Sequence, residues 1–72
     1  MDLSDRLNAW IDGSLDEEEI VQLFQELVDS GAAWKMDGYV GNTIRGLVEA
    51  GLVIVPENAR EKYVDAIRRR GW

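Results

Sequence analysis

The apolar positions of the chain fall into four periodic runs, separated by glycine or by a turn dipeptide. The clearest lies between Ser14 and Gly31, where Ile20, Leu23, Phe24, Leu27 and Val28 recur at i, i+3, i+4, i+7 and i+8. That spacing puts all five on one stripe of a helix, and such a stripe must be buried. Polar residues mark both ends. Ser14 or Asp16 can accept from the free N–H groups of the first turn, and each has a glutamate three residues on, Glu17 or Glu19, to close a capping box. Asp16, Glu17, Glu18 and Glu19 set negative charge on the positive pole of the helix dipole, and Gly31 supplies the left-handed residue that ends helices. A helix over 16–30 is predicted.

The other runs are shorter. Leu3, Leu7, Trp10 and Ile11 predict a helix over 3–12, capped by Asp2 or Ser4 and ended by Gly13. A helix of that length is marginal alone in water, so it is expected to dock on the 20–28 stripe. Trp10, in register with Leu3 and Leu7, is read as a core anchor rather than an exposed hot spot. Residues 32–36 lead to an Asp37-Gly38 turn, with Trp34 and Met36 capping the core. Val40, Ile44, Leu47 and Val48 then predict a helix over 39–50, ended by Gly51. Gly41 and Gly46 lie inside it, each costing about 1 kcal/mol relative to alanine. That cost points to close backbone approach, by a neighbouring helix in the simpler reading and by a ligand or partner in the sharper one.

Leu52, Val53, Ile54 and Val55 form a β-branched apolar run that stops at Pro56. It reads as a strand or an extended connector. A four-residue strand has no partner elsewhere in the sequence, so a connector is expected unless two copies pair across a dimer. Asn58 with Glu61 offers a second capping box, and Tyr63, Val64 and Ile67 give the stripe of a last helix over 58–70. Arg68, Arg69 and Arg70 suit the negative end of its dipole. Trp72 either folds back onto the core or stays free to bind. The expected fold is all-α, a small bundle of about four short helices with an extended apolar segment at 52–55, in a single domain over 1–72.

Length and composition narrow the choices. Seventy-two residues make one domain with a small core, and the absence of cysteine removes disulfides and thiolate ligands. Helix packing or a second copy must supply the stability, which keeps a homodimer open. No apolar run nears the roughly 18 residues of a membrane span, and no charged-then-apolar leader is visible. A cytoplasmic protein without membrane contact is expected. The net charge is −6; residues 1–51 carry eleven acidic and three basic side chains, net −8, and residues 52–72 three acidic and five basic, net +2. An acidic body with a basic tail disfavours broad affinity for nucleic acid, where neutralised phosphates dominate binding. It suits basic protein partners, or solubility alone.

There is no histidine and no cysteine, which excludes the commonest general base, the thiol nucleophile and most transition-metal ligation. The carboxylates of Asp16 to Glu19 are already explained by capping. Asp12, Ser14 and Asp16 alternate like the first ligands of a calcium loop, but its sixth and twelfth places hold Glu17 and Leu23 where glycine and glutamate are needed. Gly38, Gly41 and Gly46 follow no strand and lack a phosphate-reaching lysine. No catalytic residue, metal ligand or cofactor is therefore expected. The leading reading is a non-enzymatic protein-interaction module. Its expected surfaces are the acidic start of the second helix, Asp16, Glu17 and Glu18, and the basic aromatic tail, Tyr63, Arg68, Arg69, Arg70 and Trp72. The alternative is a small helix-turn-helix DNA-binding regulator reading through Asn42, Thr43 and Arg45 of the 39–50 helix, in which Arg60, Lys62 and Arg68 to Arg70 would contact the backbone.

The phrase GSLDEEEIVQLFQELVDSGAAWKMDGYVGNTIRGLVEAGLV resembles a family of short proteins encoded by tailed bacteriophages, over about residues 12–53. In that family an acidic start is followed by an LFQELVDTG-type helix, a tryptophan, a glycine-aromatic-x-glycine step and a helix ending near LIEAGL. Members commonly carry arginine after the second glycine of that step, where this chain has Asn42, so no anion-binding role is carried over. The resemblance implies a phage accessory protein, made in the host cytoplasm, that binds and redirects a host protein such as RNA polymerase, a nuclease or a defence complex. The last helix lies outside the resemblance.

Overall fold

A computed structural model describes residues 2–72. Four α-helices succeed one another, α1 (Leu3–Ile11), α2 (Glu17–Ser30), α3 (Gly38–Glu49) and α4 (Arg60–Arg69), with 3₁₀ turns at Ala32–Lys35 and Glu57–Ala59 and no strand among the described residues. The all-α expectation holds. No helix among these residues is long and apolar enough to cross a membrane.

Helix α2 is the centre. Leu23, Phe24, Leu27 and Val28 are all buried, as their one-sided spacing requires. Of the two capping registers, Asp16 is used: its carboxylate accepts from the Glu19 N–H at 2.8 Å, and the Glu19 side chain accepts from the Asp16 N–H at 3.3 Å. Gly31 closes the helix at φ 84°. Each of the four helices is followed by a glycine at positive φ, at 13, 31, 51 and 71, a conformation that a side chain with a Cβ resists.

Helix α1, capped by Asp2 through the Asp5 N–H at 2.9 Å, lays Leu3, Leu7 and Trp10 against the core. Trp10 meets Phe24 edge-on, centroids 4.9 Å apart, which is the core role expected of it. Ile11 departs from the expected face and is 67% exposed. One residue past Trp10 the helix has turned about 100°, and the stripe is too narrow for both. An Arg6–Glu26 ion pair ties α1 to α2.

Helix α3 begins one residue earlier than the pattern indicates, because Asp37 caps it by accepting from Tyr39 and Val40 N–H at 3.1 and 3.4 Å. Ile44 is buried, while Val40, Leu47 and Val48 pack at the edge of the core.

The 52–55 segment forms no strand: its first half still curls off α3, the Leu52 and Val53 N–H groups donating to the Leu47 carbonyl at 2.9 and 3.3 Å, and Val53 alone of the four is buried. Its partner is a side chain. The Gln25 carboxamide donates to the Ile54 carbonyl at 2.8 Å and accepts from the Ile54 N–H at 2.9 Å. One glutamine thus supplies both bonds that a neighbouring strand would otherwise make to that residue, and the connector is fastened to α2 without a sheet.

The expected 58–70 helix is divided. Residues 57–59 form the second 3₁₀ turn, the Ala59 N–H donates to the Pro56 carbonyl at 2.9 Å, and α4 starts at Arg60 with no side-chain cap. The capping box at Asn58 and Glu61 is not made. Burial of Ala59 draws the backbone into the tighter turn and leaves Asn58 in solvent. Ala66 is the one buried residue of α4, Tyr63 and Ile67 pack beside it, and Val64, expected on the same stripe, is 39% exposed.

Candidate functional site

The acidic start of α2 lies in solvent, with Asp16, Glu17 and Glu18 all exposed. Asp16 is committed to the cap. Glu17 and Glu18 flank a shallow apolar depression formed by Val21 and Leu52. Two residues past Leu52 the connector turns Ile54 outward, 72% exposed, held there by Gln25. Charge and apolar surface therefore meet along one side of α2.

The basic tail separates into two parts. Arg68 and Arg69 are exposed and line an open groove along α4 with Arg60, Glu61, Val64 and Asp65, and Arg69 pairs with Asp65 at 2.9 Å. Tyr63 is half-buried; burial raises its hydroxyl above the ordinary phenol range, Glu49 pushes the same way, and Arg45 partly offsets both. Arg70 stays exposed but is tied back to the first 3₁₀ turn, and Trp72 turns inward. The Arg70 guanidinium donates to the Trp34 carbonyl and, at 2.8 Å, to the Met36 carbonyl, satisfying acceptors that the end of the first 3₁₀ turn leaves open. Trp72 is 2% exposed, which corrects its assignment to a partner-binding surface: it belongs to the core.

The seat of Trp72 explains the glycine at 41. The indole stacks on Trp34, centroids 5.5 Å apart and planes 20° from parallel, and lies so close to the α3 backbone that a Cβ on Gly41 would collide with the ring. The close approach expected at an interior glycine is real here, though it is made by a side chain rather than a helix. Gly46 has nothing within 4 Å of where its Cβ would stand, so no close approach accounts for it. Arg45 donates to the Trp72 main-chain oxygen at 2.8 Å and to Glu49 at 3.2 Å. The indole Nε1 is buried without a hydrogen-bond partner, a cost of about 1–3 kcal/mol that the ring's packing must exceed.

The same contacts bear on the DNA-reading residues. Asn42 donates to the Gly38 carbonyl at 2.7 Å and Thr43 to the Tyr39 carbonyl at 3.2 Å, each one turn back on its own helix. With Arg45 bound to Trp72 and Glu49, all three side chains are engaged within the chain. At the start of α3, Tyr39 is 70% exposed and rests against Trp10 at 5.4 Å. The described residues contain no group of three or more aspartates or glutamates placed to hold a metal ion.

Two features of this surface escape sequence reasoning, the Gln25 clamp and the seat of Trp72. A glutamine on the polar side of a helix carries no signal of its partner, whereas Gly41 carried one that could not be assigned.

Residues 1–66 match a family described as a domain of unknown function, DUF7417, and the protein belongs to that family. No curated protein and no solved structure matches the chain.

Proposed function

We propose that this protein is a non-enzymatic interaction module, a phage accessory protein that binds a bacterial host protein and modulates it in the host cytoplasm. The observation that carries this reading is the surface along α2 and the connector. There Leu52 stands out from the core beside Val21, with Glu17 and Glu18 at the margin, and Ile54 is exposed two residues further along the connector. Exposed aliphatic side chains grouped within an acidic border suit a partner that is apolar and basic. The second candidate surface is the outer side of α4 around Arg68 and Arg69. RNA polymerase, a nuclease or a defence complex are the partner classes the phage resemblance implies.

Capture from bacterial lysate tests the reading, with nuclease-treated and untreated samples side by side. A discrete protein that survives nuclease, and is lost from a variant carrying Glu17→Lys, Glu18→Lys, Arg68→Glu and Arg69→Glu, is the expected result. Retention of every captured partner by that variant overturns the assigned surfaces. The DNA-binding alternative keeps the order α2, turn, α3 as its support. It predicts capture that disappears with nuclease and an affinity falling with salt at a slope of about 0.9 per phosphate neutralised.

A further inference from the structure

Gln25 satisfies one edge of the connector and leaves the other open. In an extended segment the main-chain groups of successive residues point to alternate sides. Gln25 takes both groups of Ile54 on the α2 side, and Pro56 keeps Val55 out of the helical region. The N–H and carbonyl of Val55 therefore point away from α2. No backbone or side-chain group among the described residues bonds to either.

A cavity borders that edge. It is open, about 580 Å³ in volume, and lies between the end of α3 and the start of α4, with Val48, Gly51 and Tyr63 in its lining beside Val55. Its two charged residues, Glu57 and Arg60, are of opposite sign, and neither forms an ion pair with another described residue. The cavity thus offers aliphatic surface with no net charge at its rim.

An unpaired donor and acceptor on one extended residue are matched by a residue of a second extended main chain, which returns both bonds as an antiparallel neighbour. Directly opposed residues turn their side chains to the same face, and Val55 packs its own side chain against the core. The residue that pairs with Val55 delivers its side chain toward the cavity. Nothing has to move first, because Gln25 already holds the connector in place.

We propose that the free edge at Val55, with the cavity beside it, docks an extended segment of a partner polypeptide through one aliphatic residue, whose main chain pairs with Val55 and whose side chain enters the cavity. This rests on the interaction-module reading and names the chemistry of one partner segment. The neutral rim selects an aliphatic side chain over a charged one.

The full chain is titrated with the peptide acetyl-Ser-Thr-Leu-Thr-Ser-amide to about 10 mM and followed by amide NMR spectra. The expected result is saturable shifts at Val55 and Tyr63, with exchange of the Val55 N–H slowed about tenfold at saturation and the α2 amides unchanged. The same peptide methylated on its leucine nitrogen, or carrying glycine in place of leucine, binds about tenfold more weakly or worse. Val48→Trp, which fills the cavity, has the same effect on the unmodified peptide. Shifts confined to other surfaces, or a methylated peptide that binds as tightly, overturn the proposal. Val55 exchange that slows with protein concentration in the absence of peptide assigns the edge to a second copy and overturns it equally. A chain that ignores the peptide while still capturing a nuclease-resistant partner overturns the edge and leaves the interaction module standing on its other surfaces. Peptide binding at Val55 with no host protein captured upholds the edge and overturns the host-protein reading.

Discussion

Helix α2 brings four buried side chains to the core, whereas α4 brings one, Ala66. The two differ as much at their ends. Helix α2 opens on a capping box and closes on a left-handed glycine, both supplied by adjacent residues. Helix α4 has no side-chain cap at its start, and it is anchored at its end by Arg70 reaching the carbonyls of residues 34 and 36 and by Trp72 reaching Gly41. One helix is secured by neighbours in sequence, the other by groups roughly thirty residues away. Local signals make α2 legible; α4 meets the core through Ala66, Tyr63 and Ile67 and is tied down beyond its last turn by Arg70 and Trp72.

The largest expected effect puts the two anchors on one scale. Phe24→Ala in α2 and Trp72→Ala beyond α4 each cost about 3–5 kcal/mol, because both empty a fully buried aromatic site. Urea unfolding of the two variants checks it, and a Trp72→Ala cost below about 1 kcal/mol would place the ring outside the cooperative core. Next come the long-range contacts. Gly41→Ala forces a methyl into the Trp72 ring and destabilises by about 1–3 kcal/mol, while Gly46→Ala, with free space and a helical backbone, stabilises by about 0.5–1 kcal/mol. The pair changes sign across five residues of one helix.

Gln25→Ala removes both bonds to Ile54 and costs about 1–2 kcal/mol. Hydrogen exchange at the Ile54 N–H should accelerate more than exchange within α3, since the connector comes loose first. Local caps rank next: Asp16→Ala costs about 1 kcal/mol, and Asn58→Ala, which removes no cap, stays within about 0.5 kcal/mol. Thermal melts separate the two. The smallest effect is electrostatic. Burial raises the Tyr63 pKa in the folded chain, so its contribution is fully present below the ordinary tyrosine pKa of about 10 and is lost as pH rises through the folded value. Tyr63→Phe should flatten that alkaline decline in stability.

Legibility tracks the range of the interaction. The 20–28 stripe, the Asp16 box and the terminating glycines could be read because each rests on residues within one or two turns. The errors at Ile11, Val64 and Asn58 came from the same local rules applied where the core is too narrow or a 3₁₀ turn intervenes. Of the candidate surface residues, Glu17, Glu18, Arg68 and Arg69 lie in solvent where a charged side chain at a helix periphery belongs. Arg70 and Trp72 look the same in sequence, but exposed Arg70 is tied to acceptors of the first 3₁₀ turn and Trp72 is buried in space that α3 provides.

By itself the sequence determined an all-helical chain, the position of α2 at its centre and the places where helices stop, because periodicity, capping and left-handed glycine act over a few residues. Tertiary structure alone decided that Gln25 stands in for a strand, that Gly41 makes room for Trp72, and that Arg45 and Arg70 hold the tail. Those outcomes depend on which distant groups are left unsatisfied when the helices pack, and a buried donor, acceptor or void is a property of the assembled core rather than of any stretch of chain.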